Sequence, residues 1–257
     1  MHRLAGKTAI VTGAGLRGGS GGTGCAAAVR FAEEGARVCV VDIELGSGKR
    51  TVERIESLGG EAFAQEADIT DAQACQAVVA AVVEQWGRLD VLDNNVGLGM
   101  RGTVVEVSEA DWDRAMAVNV KGIFLMSKYA VPAMVDTGAG SIINISSINP
   151  RRPYNTTPYA AAKAAVEALT RGMAVDHGPQ NIRVNCIAPG PLATARDNHL
   201  DPRMREMRRL ASPLQREGRA VDVADAAVFL ASDESAYITG EVITVDGGVS
   251  LTGPRYR

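Results

Sequence analysis

Residues 7–34 set a β-rich run, a glycine-dense stretch and a helical pattern end to end, and no other part of the chain restricts the fold as strongly. The run Lys7-Thr-Ala-Ile-Val-Thr12 reaches Gly13, glycines recur as far as Gly24, and the helical pattern occupies Cys25 to Glu34. In that order the backbone can approach a pyrophosphate, because glycine carries no Cβ and the amides of a helix N-terminus point at negative charge. The next apolar run, Arg37 to Val41, ends at Asp42. A carboxylate about 20 positions beyond the glycines suits a ribose diol and repels a 2′-phosphate, so the expected ligand is NAD in preference to NADP. Outside this context the same residues would be a flexible turn and an aspartate that ends a strand.

Strand-like and helical patterns alternate along nearly the whole chain, and no Pro/Ser-rich linker divides it. Strands are expected at Ala62 to Ala67, Leu89 to Leu92, Ser141 to Ile145, Arg183 to Ile187 and Glu241 to Val245, after the first two. Helices are expected at Ser47 to Leu58, from Asp71 to Trp86-Gly87, near Tyr159 to His177, and at Val221 to Ala231. One long helix, Glu109 to Met134, is expected to bury Trp112, Met116, Val120, Phe124 and Leu125. Such alternation implies an α/β fold: one domain over residues 1–257, with a doubly wound, mostly parallel sheet and helices on both faces. Ligands of such sheets bind beyond the carboxyl ends of the strands. Gly13, Asp42, Asp68, Asn94, Ser147 and Pro189 stand at or just after strand ends, so they converge on one edge. From Pro189 to Pro213 the periodicity fades while charge and proline rise, as suits a segment covering a substrate.

Tyr159 and Lys163 stand four apart, a spacing that puts both on one helix face. An ammonium beside a phenol favours the phenolate, so a tyrosine of ordinary pKa about 10 becomes a proton-transfer group nearer neutrality. Other chemistries lack support. Acidic residues (30) slightly outnumber basic ones (27), and the cluster Arg203, Arg205, Arg208, Arg209 is interrupted by Glu206, which reads as a solvated helix face; no nucleic-acid partner is expected. No apolar run approaches the ~18 residues of a membrane span, so no membrane association and a cytoplasmic location are expected. Cys25, Cys39, Cys75 and Cys186 read as reduced, buried thiols, and His2, His177 and His199 lack metal-ligand spacing, so no metal is expected.

Thr12-Gly13, Gly22-Thr-Gly24, Asp42, Asp68, Asn94-Asn-Val-Gly97, Asn119, Ser147, Tyr159 with Lys163, and Pro189-Gly190 followed by Thr194 occur in one order. Through them the chain resembles the short-chain dehydrogenase/reductase family over nearly its whole length. The resemblance implies a Rossmann-like, seven-stranded sheet and an NAD-dependent oxidoreductase interconverting a secondary alcohol and a ketone, a small-molecule substrate. It implies that Tyr159 is the acid/base, that Lys163 lowers its pKa and holds the nicotinamide ribose, and that Ser147, rather than Ser146, holds the substrate oxygen. Asn119 would hold a relay water. The implied cofactor site comprises Gly13, Arg17, Gly22, Thr23, Gly24, Asp42, Ile43, Asp68, Ile69, Asn95, Val96, Gly97, Tyr159, Lys163, Pro189, Gly190, Leu192 and Thr194, with Asn94 lining the cleft and the Ile187 backbone fixing the carboxamide. Ser147, Asn149, Arg152, Tyr154 and Tyr159 are candidates to line the substrate pocket, with Arg151 and Asn155 as further candidates; Arg151 and Arg152 depart from the family pattern and either pair with a substrate carboxylate or face solvent or a neighbouring subunit. A homotetramer is implied, joined through its long helices and C-terminal region, Leu251 to Arg257 included.

Two further departures lie in the motifs of the cofactor cleft. Ala14 to Gly21 separate the first two glycines of the motif where the family has three residues, an insertion of about five, and Arg17 within that stretch either reaches a phosphate or stays in solvent; Val96 replaces an alanine and alters packing only. Two other functions share some of these features. Gly18-Gly-Ser20-Gly-Gly22 matches the nucleophile elbow of a serine hydrolase, but Ser20 lies inside a loop rather than at the strand end that an elbow requires. A non-catalytic NAD-binding protein would keep the fold. The joint presence of Asn119, Ser147, Tyr159 and Lys163 argues against it.

Overall fold

β1 (Thr8–Thr12) is buried at every position and β2 (Arg37–Asp42) at all but its first. A strand with no exposed face requires cover on both sides, and alternate side chains then serve two separate cores. Ala9, Val11, Val38 and Val40 enter one; Ile10, Cys39 and Val41 enter the other. Each large apolar side chain removed from water in this way contributes roughly 1.5–3 kcal/mol.

A computed structural model, which describes residues 2–17, 20–194 and 201–253, shows how that cover is built. The further strands are β3 (Ala62–Glu66), β4 (Val91–Asn94), β5 (Gly140–Ile145), β6 (Ile182–Pro189) and β7 (Val242–Val245). They form one seven-stranded sheet in the order β7-β6-β5-β4-β1-β2-β3, parallel throughout. The helices are α1 (Thr23–Glu33), α2 (Leu45–Ser57), α3 (Ala72–Trp86), α4 (Glu109–Met116), α5 (Gly122–Asp136), α6 (Thr157–His177), α7 (Pro202–Ala211) and α8 (Ala220–Ala231). α1 and α8, with Ile55 of α2, pack on one face; α3, α5 and the end of α6 pack on the other. The chain reverses direction across the sheet between β1 and β4, and that switch point opens a crevice at the carboxyl ends.

Four sequence expectations change. The long helix is two helices joined by a π-helical turn, Ala117–Lys121, whose extra residue re-phases the apolar face; Trp112 and Phe124 are therefore 39% and 48% exposed, while Ala115, Ile123 and Met126 are buried. The fourth strand lies further along than Leu89 to Leu92, because Val91 pairs with Ala9 of β1, and this draws Asn94 into the sheet. The segment at 189–213 is not without regular structure: Leu192–Ala193 pairs with Gly218–Arg219, and α7 follows, capped by Asp201. The glycine-loop insertion forms a small antiparallel hairpin, Leu16–Arg17 against Ser20–Gly21. Gly18, Gly19 and the Ser20 side chain of the hydrolase motif lie outside the described residues, as do 195–200 with His199, and the end of the tail, 254–257.

Candidate functional site

A cleft of about 1100 Å³ runs along the carboxyl ends of the strands. Gly13, Arg17, Gly22, Thr23 and Gly24 border it from the first crossover, Asp42 and Ile43 after β2, and Asp68 and Ile69 after β3. Asn95, Val96 and Gly97 follow β4; Ser147, Asn149, Tyr159 and Lys163 follow β5; Pro189, Gly190, Leu192 and Thr194 complete the rim.

The glycine turn accommodates an anion for reasons visible atom by atom. Gly13 has φ +63°, a conformation that glycine adopts without strain. A Cβ on Gly24 would lie 2.5 Å from the Gly13 carbonyl oxygen, whereas one on Gly22 would meet nothing within 4 Å. Gly22 caps α1 without a side-chain acceptor, and the first turn carries no acidic residue. Donors at this helix start therefore meet a ligand without competition from a capping side chain, and the residues present fit a dinucleotide pyrophosphate. Gly24→Ala is expected to force the turn and helix apart, costing about 1–3 kcal/mol of stability in urea unfolding and weakening NADH binding by at least about tenfold.

The Asp42 carboxylate, 4% exposed, is aimed by the backbone: Oδ2 accepts from Gly15 N at 3.0 Å and Oδ1 from Glu44 N at 3.1 Å. Arg17 also donates to Oδ1, at 2.5 Å, and its Nε lies 3.4 Å from Glu44. Arg17 thus bridges two carboxylates at the β2 end of the cleft.

At the other end, Lys163 is 1% exposed, its Nζ donates to the Ile145 carbonyl at 2.7 Å, and it lies 5.7 Å from the centre of the Tyr159 ring. A Cβ on Gly97 would stand 3.4 Å from that Nζ, so the loop after β4 lies close over the ammonium. The two serines differ in use. The Ser146 hydroxyl is engaged by the Lys163 carbonyl at 3.0 Å and by Glu167 at 3.3 Å, tying β5 to α6. Ser147 Oγ accepts from Asn149 N at 3.2 Å, and the residue borders the cleft.

Several candidates are placed elsewhere. Asn119, fully buried in the π turn, donates to the Leu98 and Ala115 carbonyls, both at 2.9 Å, and accepts from Leu98 N at 3.0 Å. Both amide hydrogens are used, so this side chain acts as a clamp on the loop after β4 and is not free to donate to a water. Asn94 is buried and donates to Asn144 at 2.9 Å and to Ser127 of α5 at 3.3 Å. Ile187 is an interior strand residue whose carbonyl accepts from Ser146 N. Arg152 donates to the Val249 carbonyl, Arg151 to Thr244 at 2.7 Å, and Tyr154 is 86% exposed; none of the three borders the cleft, because the turn carrying them folds towards the C-terminal segment. Asn155 is exposed with φ +48°, and its carbonyl accepts from Gly102 N.

Other groups at the site escaped the sequence reading. Arg101 and Arg114 border the cleft. So does Arg208, although its charged cluster suggests a solvated face; its Nε lies 3.2 Å from the largely buried Glu217 and its Nη2 donates to the Leu192 carbonyl. Beneath the cleft Asp93 is wholly buried, and burial pushes its carboxyl up to about 7. The one signal of it was an aspartate inside an apolar strand directly before Asn94-Asn95. The four cysteines are free and buried. Among the described residues no group of three or more His, Cys, Asp or Glu side chains could hold a metal ion, and no helix is long and apolar enough to cross a membrane.

A family model described as Enoyl-(Acyl carrier protein) reductase matches residues 18–250. An uncharacterized oxidoreductase of Thermotoga maritima is 42% identical over 257 residues, covering 95% of this chain and 97% of that protein. A 2,5-dichloro-2,5-cyclohexadiene-1,4-diol dehydrogenase of Sphingobium indicum is 39% identical over 251 residues, covering 97% and 98%. Among solved structures, a 7α-hydroxysteroid dehydrogenase complexed with NADH and 7-oxo glycochenodeoxycholic acid has a TM-score of 0.90 at 38% identity, covering 96% of this chain and 95% of the other. A hydroxysteroid dehydrogenase from Escherichia coli has a TM-score of 0.86 at 38% identity, covering 96% and 98%.

Proposed function

The chain belongs to the short-chain dehydrogenase/reductase family of oxidoreductases, and from that premise we propose that it interconverts a secondary alcohol and a ketone with NAD(H), using Tyr159 as acid/base. The buried Lys163 ammonium one turn from Tyr159, with Ser147 on the same rim, is the observation that carries this reading. When bound, the nicotinamide ring takes up or supplies the hydride. In oxidation the ionised Tyr159 oxygen receives the alcohol proton; in reduction the Tyr159 hydroxyl returns it. The Lys163 charge favours the ionised phenol, and the Ser147 hydroxyl donates to the substrate oxygen as charge develops there. Asn119 holds Leu98, and with it the Gly97 backbone, beside Lys163.

Cyclic secondary alcohols are the favoured substrates in this reading, because relatives covering nearly the full chain are named for a cyclohexadienediol and a hydroxysteroid. Asp42 favours NAD, since its aimed carboxylate accepts from a ribose diol and opposes a 2′-phosphate. Residues 189–213 would cover the substrate. The exposed Val104, Val105, Trp112, Phe124 and Val175 suit burial between the subunits of a homotetramer.

The test is a panel of cyclic alcohols, diols and hydroxysteroids, with their ketones, run with NAD and NADP in parallel. Turnover favouring NAD is the expected result; NADH binding without turnover of any member would favour a non-catalytic role. In the same panel Arg17→Ala is expected to lower the NADP/NAD ratio of kcat/KM by about fivefold, the scale of one exposed charge pair.

A further inference from the structure

One buried acid behind the cofactor end of the cleft has no part in the proton transfer described above. Asp93 lies on β4 between register partners Val11 of β1 and Ile143 of β5, and all three are fully buried. Both of its carboxyl oxygens lie 3.3 Å from Asn95 Nδ2. The other end of that amide, Oδ1, accepts the Thr23 hydroxyl at 2.6 Å. Thr23 opens α1, and Thr23 and Asn95 border the cleft where Asp93 does not. A hydrogen-bonded line therefore runs from a water-excluded carboxyl to the helix end that fits a pyrophosphate.

Donor and acceptor counting shows what this line can transmit. A carboxylate only accepts, a carboxylic acid can donate once, a carboxamide donates at nitrogen and accepts at oxygen, and a threonine hydroxyl has one proton. With Asp93 ionised, only Asn95 Nδ2 can face it. Asn95 Oδ1 then takes the single Thr23 proton, and Thr23 presents lone pairs to an incoming phosphate oxygen. With Asp93 protonated, its O–H can donate to Asn95 Oδ1 once the amide turns over. Nδ2 then donates to Thr23, and the Thr23 hydroxyl is released to donate into the cleft.

We propose that Asp93 is a buried proton-binding site coupled to the dinucleotide, so that NAD(H) binds more tightly when Asp93 is protonated, through Asn95 and Thr23. The inference rests on the dinucleotide reading of the cleft. Burial raises the Asp93 carboxyl to about 7, with the Asn95 hydrogen bond opposing, and no charged residue is among its causes. Both forms are accordingly populated near neutral pH. The register partners on the flanking strands are apolar, Thr23 is the uncharged group met on α1, and neither described histidine, His2 or His177, borders the cleft. Two negative phosphates beside the line raise the proton affinity further in the bound state, and by linkage cofactor affinity falls as pH rises.

NADH affinity measured by nicotinamide fluorescence between pH 5.5 and 8.5 tests this. In the wild type Kd should rise about tenfold on crossing neutrality, the change for a one-unit shift between free and bound protein. Asp93→Asn has an amide that serves either orientation without titrating, so its Kd should be flat with pH. Thr23→Ala should be weaker and flat, while Thr23→Ser, which restores the hydroxyl, should regain the inflection. An inflection unchanged in Asp93→Asn or in Thr23→Ala overturns the coupling, as does a flat wild-type profile, and both leave the cofactor assignment standing. A wild type that binds no NADH at any pH overturns the assignment as well.

Discussion

Tyr159→Phe is expected to lower kcat by about two to four orders of magnitude while leaving NADH affinity within about threefold, the range spanned by one positioned acid/base group. The substitution removes a single oxygen and keeps the ring that faces Lys163, whose Nζ stays anchored on the Ile145 carbonyl. Binding and chemistry should therefore separate. The measurement is hydride transfer in a single turnover, followed at the nicotinamide absorbance, beside a fluorescence titration of NADH. A variant as fast as the wild type would remove Tyr159 from the reaction. One that loses NADH along with turnover would show the hydroxyl to be a binding group instead.

Asp93→Asn should stabilise the fold at alkaline pH by as much as about 4 kcal/mol and leave it nearly unchanged near pH 4. The sign follows from the direction of the shift. Burial raises the folded-state pKa of Asp93 to about 7, while an unfolded aspartate titrates near 3.9. Below about pH 4 both states hold the proton and the full stability is present. As pH rises from there towards 7 the unfolded chain releases its proton and the native state retains it, so stability declines, then levels off above 7. Asparagine keeps the shape without the titration. Other carboxyls act in the opposite direction: the Arg3 hydrogen bond holds Glu34 down to about 2, so its contribution is lost as pH falls. Because Glu34 is common to both proteins, the difference between their urea-unfolding profiles over pH 4–9 isolates Asp93. A difference constant with pH would show that Asp93 has the same proton affinity folded and unfolded.

The residues best placed from sequence are those whose meaning is local. A glycine run between a strand and a helix, an acid at the end of the second strand, and Tyr159 one turn before Lys163 are patterns of a few residues read against fixed helix and strand periods. Alternation of such segments carries the parallel sheet with it, since consecutive parallel strands need a crossover. Two of the residues that the sequence places elsewhere depend on partners further along the chain, and two on a break in helix period. Position between Ser147 and Tyr159 suggests a pocket role for Arg152, yet its guanidinium reaches the Val249 carbonyl, almost a hundred residues on. The charge of its own helix suggests solvent for Arg208, but Glu217 together with Leu192 places it on the cleft rim. An unbroken helical period would bury Trp112 and Phe124, and one π turn interrupts it.

From its sequence alone this chain was determined to be a doubly wound α/β protein with a dinucleotide-type glycine turn and a tyrosine-lysine pair on one helix face. Backbone periodicity and chirality act over a single turn or crossover, so neighbours in sequence suffice to specify them. Tertiary structure alone decided that the Ser146 hydroxyl ties β5 to α6, that Asn119 clamps Leu98, and that Asp93 is shut away behind Asn95 and Thr23. Those outcomes are set by strand register and by exclusion of water, which arise only when segments far apart in the chain are packed together.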